Sequence, residues 1–487
     1  MLLPVLASAS LLSLALAPGA TALVARGDGI VRAAVRAIPD LEPLPKLRSR
    51  QNVLDVINQR NGTRYAVEVA VGTPPQTQYL ILDTGSPNTW FNPTCETSRV
   101  VEECMRYPRF DLSKSSSLRN LRASGLLLYG SGQAEIDWYS DTLKIGSATI
   151  KDQVIGVNVQ SERIPLGILG VSPPLSGVNE YPYVLDSMVS QGLIKSRAFS
   201  LDLRGVDNPN GAIIFGGIDT GKYIGSFAKL PILPQSQSPR GGSRYYVHMN
   251  AVGLTLPDGT VLKSEELQTP VFLDSGATLS YLPTRIFEAL ANSFEGGAYE
   301  PDTGFYYLPC SATNLNGTID FYFGDKVIRV ALNDFIWQAG RYCLLGAVAE
   351  EREPVLGATF LRAAYVVFDQ DQKNLHIAQG ANCGENLVAI GSGKDAVPSR
   401  TGDCTELPTP TGTAASSRLD ATRTNLPTMT FTGAVPTFDN GPGPAADPTS
   451  SGTLPLGSDV GNVAGKGVQV SLGVAAAVVA ANLVLAL

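Results

Sequence analysis

Between residues 61 and about 390, short apolar runs alternate with clusters of glycine, proline, asparagine and aspartate. Short runs rich in β-branched and aromatic residues, bounded by turn-forming residues, are typical of antiparallel strands. Helices are predicted only for residues 183–191 and 284–293. The pattern therefore predicts an all-β fold. The clearest predicted strands are residues 65–71, 210–217, 244–249 and 364–368.

The β-rich region is too long for one ordinary domain. Its roughly 330 residues exceed the usual size of a single hydrophobic core, so we expect two lobes. We place the first lobe at residues 51–229 and the second at residues 230–390.

Two short segments of the chain repeat one pattern. Residues 80–86 (LILDTGS) and 271–277 (VFLDSGA) are each an apolar run ending in Asp, a small hydroxyl residue and Gly. Each is followed, at a nearly equal distance along the chain, by two apolar residues and Gly, at 168–170 and 355–357. One copy alone would indicate an ordinary turn. Two matched copies indicate duplicated lobes that bring two carboxylates together across a pseudo-two-fold axis.

Asp83 and Asp274 are the candidate catalytic pair. Two carboxylates a few ångströms apart cannot both ionise cheaply, so they share a proton and titrate as a unit. One can take a proton from a water that attacks an amide carbon, while the other donates a proton to the carbonyl oxygen. Because this chemistry needs neither a metal nor a covalent intermediate, we expect no cofactor.

The residues beside each Asp suit this arrangement. Gly85 and Gly276 permit a tight turn that brings backbone N–H groups to each carboxylate. Thr84 and Ser275 are expected to hydrogen-bond across the lobe junction and hold the two loops in register.

Other kinds of site fit the composition poorly. The net charge of −7 and a pI of about 5.1 argue against nucleic acid as a partner. Only two histidines exist, His248 and His376, and neither lies near a Gly-x-Ser-x-Gly motif. No metal site is expected, because His and Cys ligands are not clustered. Residues 391–395 (GSGKD) lack the glycine spacing of a phosphate-binding loop.

Both ends of the chain carry processing signals. Residues 1–22 are predicted to be a secretory signal peptide, and their apolar run is too short for a membrane anchor. Residues 23–50 are basic and end in Leu-Arg-Ser-Arg, which predicts a propeptide; a disordered linker is the alternative. Residues 391–460 form a predicted Ser/Thr/Pro-rich stalk.

Residues 461–487 are predicted to be a GPI-anchor signal that is removed on maturation, with Asn462 as the attachment residue. The apolar run from 468 to 487 has no basic residues after it to stop transfer. Gly457 or Ser458 would fit the preferred spacer length better than Asn462. A retained tail helix is the alternative.

The cysteines and glycosylation motifs agree with secretion. Six cysteines in a secreted chain indicate disulfides, and although fifteen pairings exist, local spacing favours three. Asn61 and Asn316 begin Asn-Gly-Thr sequences that accept N-linked glycans. The favoured pairs are Cys95–Cys104, Cys310–Cys343 and Cys383–Cys404.

From about Tyr65 to Ala378 the chain resembles the pepsin-like (A1) aspartic proteases, specifically their fungal, GPI-anchored, yapsin-like branch. The motifs that carry the resemblance are residues 83–90 (DTGSPNTW), 129–132 (YGSG), 214–219 (IFGGID) and 355–361 (VLGATFL).

The resemblance implies a bilobal fold with the active-site cleft between the lobes. It implies a flap at Tyr129, Gly130 and Ser131 that closes over the substrate, with Tyr129 hydrogen-bonded near Trp90. It also implies a monomeric endopeptidase of polypeptides, held on the extracellular face of the cell membrane or transferred to the cell wall. The alternative is a catalytically silent, wall-anchored binding or structural protein.

Three departures from the family pattern bear on function. Ser86 can donate a hydrogen bond to Asp83. At the equivalent position of the second loop, Ala277 stands where many relatives have Thr, so Asp274 lacks a hydroxyl donor. The missing donor is expected to raise the upper apparent pKa of the pair and to extend activity toward weaker acid. Residues 164–167 (IPLG) replace the usual Phe-Asp-Gly, which predicts altered packing.

Ser131 replaces an Asp found in relatives that cleave after lysine. A preference for basic residues would therefore depend on Glu135 or Asp137, and hydrophobic specificity is the alternative.

Overall fold

The computed structural model describes residues 29–38, 64–92, 95, 101–129, 132–162, 164–177, 180–205, 210–239, 241–294, 296–301, 303–339, 342–405 and 417–418. The predicted signal peptide, the anchor signal with Asn462, Asn61, Gly130 and Ser131 lie outside these residues.

Strands dominate the structure, which confirms the predicted all-β class. The first half of the chain contains β1 (Val31–Ile38), β2 (Arg64–Val71), β3 (Gln76–Asp83), β4 (Trp90–Phe91), β5 (Arg119–Tyr129), β6 (Gly132–Ile145), β7 (Ala148–Glu162), β8 (Gly167–Gly170), β9 (Ala198–Asp202), β10 (Asn210–Phe215), β11 (Gly217–Asp219) and β12 (Tyr223–Pro231).

The second half contains β13 (Tyr246–Met249), β14 (Ala251–Thr255), β15 (Val261–Lys263), β16 (Thr269–Leu273), β17 (Ser280–Leu282), β18 (Ala298–Glu300), β19 (Phe305–Leu308), β20 (Thr318–Phe323), β21 (Lys326–Ala331), β22 (Trp337–Ala339), β23 (Tyr342–Leu344), β24 (Ala347–Ala349), β25 (Val355–Leu356), β26 (Ala364–Asp369), β27 (Asn374–Gly380), β28 (Leu387–Ala389) and β29 (Ser417–Arg418).

Helices are few and short in the described residues. The two predicted helices are present and lose a residue or two at their ends. The α-helices are α1 (Val101–Cys104), α2 (Val184–Ser190), α3 (Thr284–Asn292), α4 (Leu332–Phe335) and α5 (Ala358–Leu361). In the part of the chain that the structure describes, no helix is both long and apolar enough to cross a membrane.

A 13-stranded sheet spans the first lobe and the junction between lobes, in the order β12-β27-β26-β9-β10-β1-β2-β3-β8-β4-β7-β6-β5. The second lobe is built from three smaller sheets. Their orders are β13-β16-β25-β17-β24, β21-β20-β14-β15-β29 and β18-β19-β23-β22.

Strands β26 and β27 lie in the large sheet, although they belong in sequence to the second lobe. Every residue of β26 is buried, and the strand pairs with β9 on one side and β27 on the other. A strand buried on both faces needs hydrogen-bonding partners along both edges. The predicted lobe boundary at residue 230 therefore does not match the sheets. After the second lobe, the chain returns to the large sheet of the first lobe as β26 and β27.

Strand β1 comes from the predicted propeptide. It pairs with β10 and β2 in the large sheet, and Val31, Ala33 and Val35 are buried in the core. Its sequence alternates apolar residues with Arg32 and Arg36, as expected of a half-buried strand. The segment that we selected for its basic charge is thus also a sheet strand, and its removal on maturation remains a prediction.

The folded domain continues beyond the predicted boundary at residue 390. Residues 381–405, which we call the C-terminal clasp, are closed by the Cys383–Cys404 disulfide. Ala396 and Val397 of the clasp are buried in an apolar cluster with Tyr223 and Tyr365. The clasp contributes β28, which pairs with β11. Residues 391–405 therefore belong to the folded domain and not to the stalk that we predicted for 391–460.

Candidate active site

The two repeated segments form equivalent loops at the ends of two strands. Asp83 ends β3, and Asp274 directly follows β16. Each strand pairs in parallel with the strand that contains its partner motif, β3 with β8 and β16 with β25. The glycines of these partner motifs leave no room for a side chain. A Cβ on Gly170 would lie 2.5 Å from the Asn88 carbonyl oxygen, and one on Gly357 would lie 2.2 Å from that of Leu279.

Thr84 and Ser275 connect the loops reciprocally. The Thr84 hydroxyl donates to the Leu273 carbonyl (2.8 Å), and the Ser275 hydroxyl donates to the Leu82 carbonyl (2.7 Å). Each hydroxyl also accepts from the opposite backbone N–H, at 3.1 Å from Thr84 and 2.9 Å from Ser275. The lobe-to-lobe contact expected from the sequence is therefore present and fully buried.

The carboxyl groups of Asp83 and Asp274 lie next to each other, since a Cβ on Gly276 would lie within 3.1 Å of an oxygen of each. Each also accepts a 2.8 Å hydrogen bond from the glycine N–H of its own loop, Gly85 or Gly276. The glycines are needed here too. A Cβ on Gly85 would lie 2.7 Å from an oxygen of Asp274, and one on Gly276 would lie 2.7 Å from an oxygen of Asp83.

Burial is the main reason that the pKa of both carboxyl groups is raised. For Asp274 the negative charge of Asp83 raises the pKa further. For Asp83 the hydroxyl of Ser86 and the N–H of Gly85 oppose the effect of burial. The arrangement favours one shared proton, with the negative charge on Asp83.

Ser86 and Ala277 make the pair unequal. The Ser86 hydroxyl donates a short hydrogen bond to Asp83. The Ala277 side chain offers no donor to the Asp274 carboxyl group and packs instead against an apolar cluster around Phe272 and Tyr246. The difference noted in the sequence is thus present in the environment of each carboxyl group.

Tyr129 and Trp90 lie together at the flap. The indole N–H of Trp90 donates to the Tyr129 hydroxyl at 2.8 Å, and the rings are 6.3 Å apart. Burial and the charge of Asp83 raise the pKa of Tyr129, so its hydroxyl stays protonated. The flap tip beyond Tyr129 lies outside the described residues.

The flap hairpin has a distinct inner and outer face. Ala134, Ile136 and Trp138 of β6 are buried against Trp90 on the inner face. Glu135 and Asp137 alternate with them and lie on the outer face. Asp137 accepts a hydrogen bond from Ser124 there. The structure therefore places the two acids that we considered for basic specificity away from Trp90 and Tyr129.

Residues 164–167 extend the inner apolar surface. Ile164 and Leu166 are buried in the same cluster as Trp90. The aliphatic side chains fill space around the indole ring, which agrees with the packing change expected from the sequence.

The sequence reasoning missed the residues that support Asp83 from the second lobe. The Tyr245 hydroxyl donates to the Val171 carbonyl at 2.6 Å, and the Gln370 amide donates to both Tyr245 and Val171. The Val171 N–H in turn donates to the Asp83 carbonyl. The only sequence signal was an apolar strand around Tyr245, since these contacts join distant parts of the chain.

Arg244 was also missed. Its guanidinium stacks on Phe272, two residues before Asp274, and its positive charge opposes the rise in the pKa of both Asp83 and Asp274. A single arginine before an apolar strand carries no motif that would have revealed this position.

The predicted disulfides form as expected. Cys95–Cys104, Cys310–Cys343 and Cys383–Cys404 are all present. Asn316 lies exposed before β20, as a glycosylation acceptor requires. Among the described residues, no group of three or more His, Cys, Asp or Glu side chains is placed to hold a metal ion.

Comparison with known proteins identifies the family. Residues 64–380 match the family described as "Eukaryotic aspartyl protease". The chain is 32% identical to the "Probable aspartic-type endopeptidase opsB" of Aspergillus fumigatus, over 80% of this chain and 84% of the relative. It is 30% identical to "Candidapepsin" of Candida tropicalis, over 65% of this chain and 79% of the relative. With two Asp-bearing loops joined across the lobes, the chain belongs to the eukaryotic aspartyl protease family.

Proposed function

We propose that Asp83 and Asp274 are the catalytic pair of an aspartic endopeptidase. The observation that carries the proposal is that the two carboxyl groups lie side by side at the centre of two equivalent loops, with the glycine of each loop packed against the other Asp. The ionised carboxyl accepts a proton from a water whose oxygen attacks the amide carbon, and the protonated carboxyl donates to the carbonyl oxygen. Proton transfer to the amide nitrogen then accompanies cleavage of the C–N bond.

The test compares single Asp→Asn variants with a matched surface variant. We expect Asp83→Asn and Asp274→Asn each to lower peptide hydrolysis at acid pH by about 10²–10⁴-fold, the usual contribution of general acid–base catalysis. Asp111→Asn, on an exposed loop, serves as the control and should keep full activity. Inhibition by pepstatin should accompany the activity. Acid proteolysis that is absent, or unchanged in Asp83→Asn, would favour the non-catalytic binding alternative.

The raised pKa of the pair supports activity that extends to weak acid. The shared proton is needed by the donating carboxyl group, and it is lost only when the pH rises through the upper apparent pKa. Because burial and the lack of a hydroxyl at Ala277 keep that pKa high, activity should persist closer to neutral pH.

We propose an apolar rather than a basic preference at the flap. The surface next to Tyr129 is formed by aliphatic and aromatic side chains, whereas Glu135 and Asp137 lie on the opposite face. Cleavage of a peptide library tests this. Uniform cleavage after Lys or Arg would contradict the proposal and support the basic preference of the yapsin-like branch.

We further propose that the enzyme is secreted and held outside the cell by a GPI anchor. The proposal is supported by the terminal sequences and by the disulfides. A relative with 32% identity is named "Secreted aspartic protease 8" of Candida albicans. Release of the enzyme from intact cells by phosphatidylinositol-specific phospholipase C tests the anchor, and retention after treatment would indicate wall attachment or a retained helix.

A further inference from the structure

Arg244 combines three features at the wall of the second lobe. Its guanidinium carbon lies 4.8 Å from the ring centre of Phe272, two residues before Asp274. Its nearest carboxylate, Glu353, is 3.7 Å away, which is too long for a hydrogen bond. The side chain is only 16% exposed.

The guanidinium is held in place but its donors are open. Stacking on Phe272 orients the planar group, and the loose ion pair with Glu353 limits its movement. Glu353 is itself engaged, because it accepts the Tyr246 hydroxyl at 2.7 Å. Within the described part of the chain, the guanidinium of Arg244 makes no hydrogen bond to a protein group.

The position of Arg244 points toward the cleft. Phe272 belongs to the apolar cluster against which Ala277 and Tyr281 pack, at the loop that carries Asp274. Because residues two apart along a strand point to the same side, the guanidinium stacked on Phe272 lies on the Asp274 side of β16. A substrate bound across the pair would pass within reach of the guanidinium.

We propose that Arg244 is a specificity-determining residue that binds a carboxylate side chain of the peptide substrate close to the scissile bond. The planar fork of a guanidinium matches the two oxygens of a carboxylate. The proposal rests on the proposed proteolytic function and adds a substrate class to it: peptides with Glu or Asp near the cleaved bond.

The test uses quenched fluorescent peptides that differ only by Glu or Gln at each position flanking the cleaved bond. At one position we expect the parent enzyme to favour Glu over Gln in kcat/KM by about tenfold or more, as a hydrogen bond to a charged group provides. Arg244→Met should abolish the difference while still cleaving the Gln peptide. Arg244→Lys should retain part of it, because the charge remains without the fork. Arg119→Met, at an exposed site, is the control.

The pH dependence gives a second readout. The Glu preference should grow between pH 3.5 and 5.5, since a free Glu side chain ionises near pH 4.3. An equal loss for the Glu and Gln peptides in Arg244→Met, or no Glu preference in the parent, would overturn the proposal. Failure of the parent to cleave either peptide would instead count against the proposed proteolytic function.

Discussion

Ser86 and Ala277 occupy equivalent places in the two loops, yet only Ser86 carries a hydroxyl. The Ser86 hydroxyl stabilises the negative charge on Asp83, while Asp274 depends on the Gly276 N–H and on the proton shared with Asp83. The Ser86 hydroxyl therefore favours the negative charge on Asp83 and the shared proton on Asp274.

Replacing Ala277 with Thr should lower the upper apparent pKa of the pair. A hydroxyl that donates to Asp274 favours the ionised form, so the shared proton is lost at lower pH. We expect the alkaline limb of the kcat/KM profile to move down by about 0.5–1 pH unit, the equivalent of one hydrogen bond. Ala277→Val has the shape of Thr without the hydroxyl and serves as the control. An equal shift in both variants, or none in Ala277→Thr, would contradict this explanation.

The hairpin of β5 and β6 is the predicted flap. Strands β5 and β6 are 11 and 14 residues long, and their alternation separates a buried inner face from an exposed outer face. Tyr129 is the last described residue of β5, and its hydroxyl accepts the Trp90 N–H. This hydrogen bond connects the end of β5 to Trp90 in the body of the lobe.

Tyr129→Phe should weaken catalysis without unfolding the protein. Loss of one neutral hydrogen bond at the flap corresponds to about a two- to tenfold fall in kcat/KM. Tyr299→Phe, at a half-exposed surface tyrosine, is the matched control, and thermal unfolding of both variants checks the fold. In a double-mutant cycle, Trp90→Phe should add little to Tyr129→Phe, since both remove the same contact. Fully additive losses would show that the hydrogen bond does not couple the two rings.

At the scale of the whole molecule, buried charged groups connect the large sheet to the C-terminal clasp. Asp202, at the end of β9, is 5% exposed and lies 3.0 Å from the Arg204 guanidinium. Burial raises the pKa of Asp202 to about 6, against the opposing charge of Arg204. Arg204 and Lys222 also hydrogen-bond to residues 381 and 382, so the cluster lies beneath the C-terminal clasp.

The raised pKa of Asp202 predicts that the fold is more stable in acid. An unfolded Asp releases its proton near pH 3.9, so the folded state binds more protons than the unfolded state between about pH 4 and 6. The contribution of Asp202 to stability is full below pH 4 and is lost as the pH rises through 6, by about 3 kcal/mol. Urea unfolding at pH 4 and pH 7 measures it. In Asp202→Asn the loss between these pH values should shrink by that amount, and an unchanged loss would refute the assignment.

Local patterns accounted for much of the fold and the candidate site. Alternating apolar residues predicted strands such as β2 and β26, because side-chain direction along a strand follows sequence directly. The Asp-Thr/Ser-Gly loops were predictable since their hydrogen bonds span two or three residues, and Gly85 and Gly276 have space for no other side chain. Short cysteine separations likewise favoured the observed disulfides.

Only the tertiary structure decided the relations between distant segments. It placed β1 between β10 and β2, returned β26 and β27 to the large sheet, and packed the clasp against it. It also turned Glu135 outward and brought Arg244 onto the ring of Phe272, two residues before Asp274. The sequence by itself determined the all-β class and the two matched loops, because these depend on neighbours along the chain. The fold decided the rest of the difference between the two carboxyl groups, beyond Ser86 and Ala277. Burial and nearby charge come from residues that are distant in sequence and meet only in the folded chain.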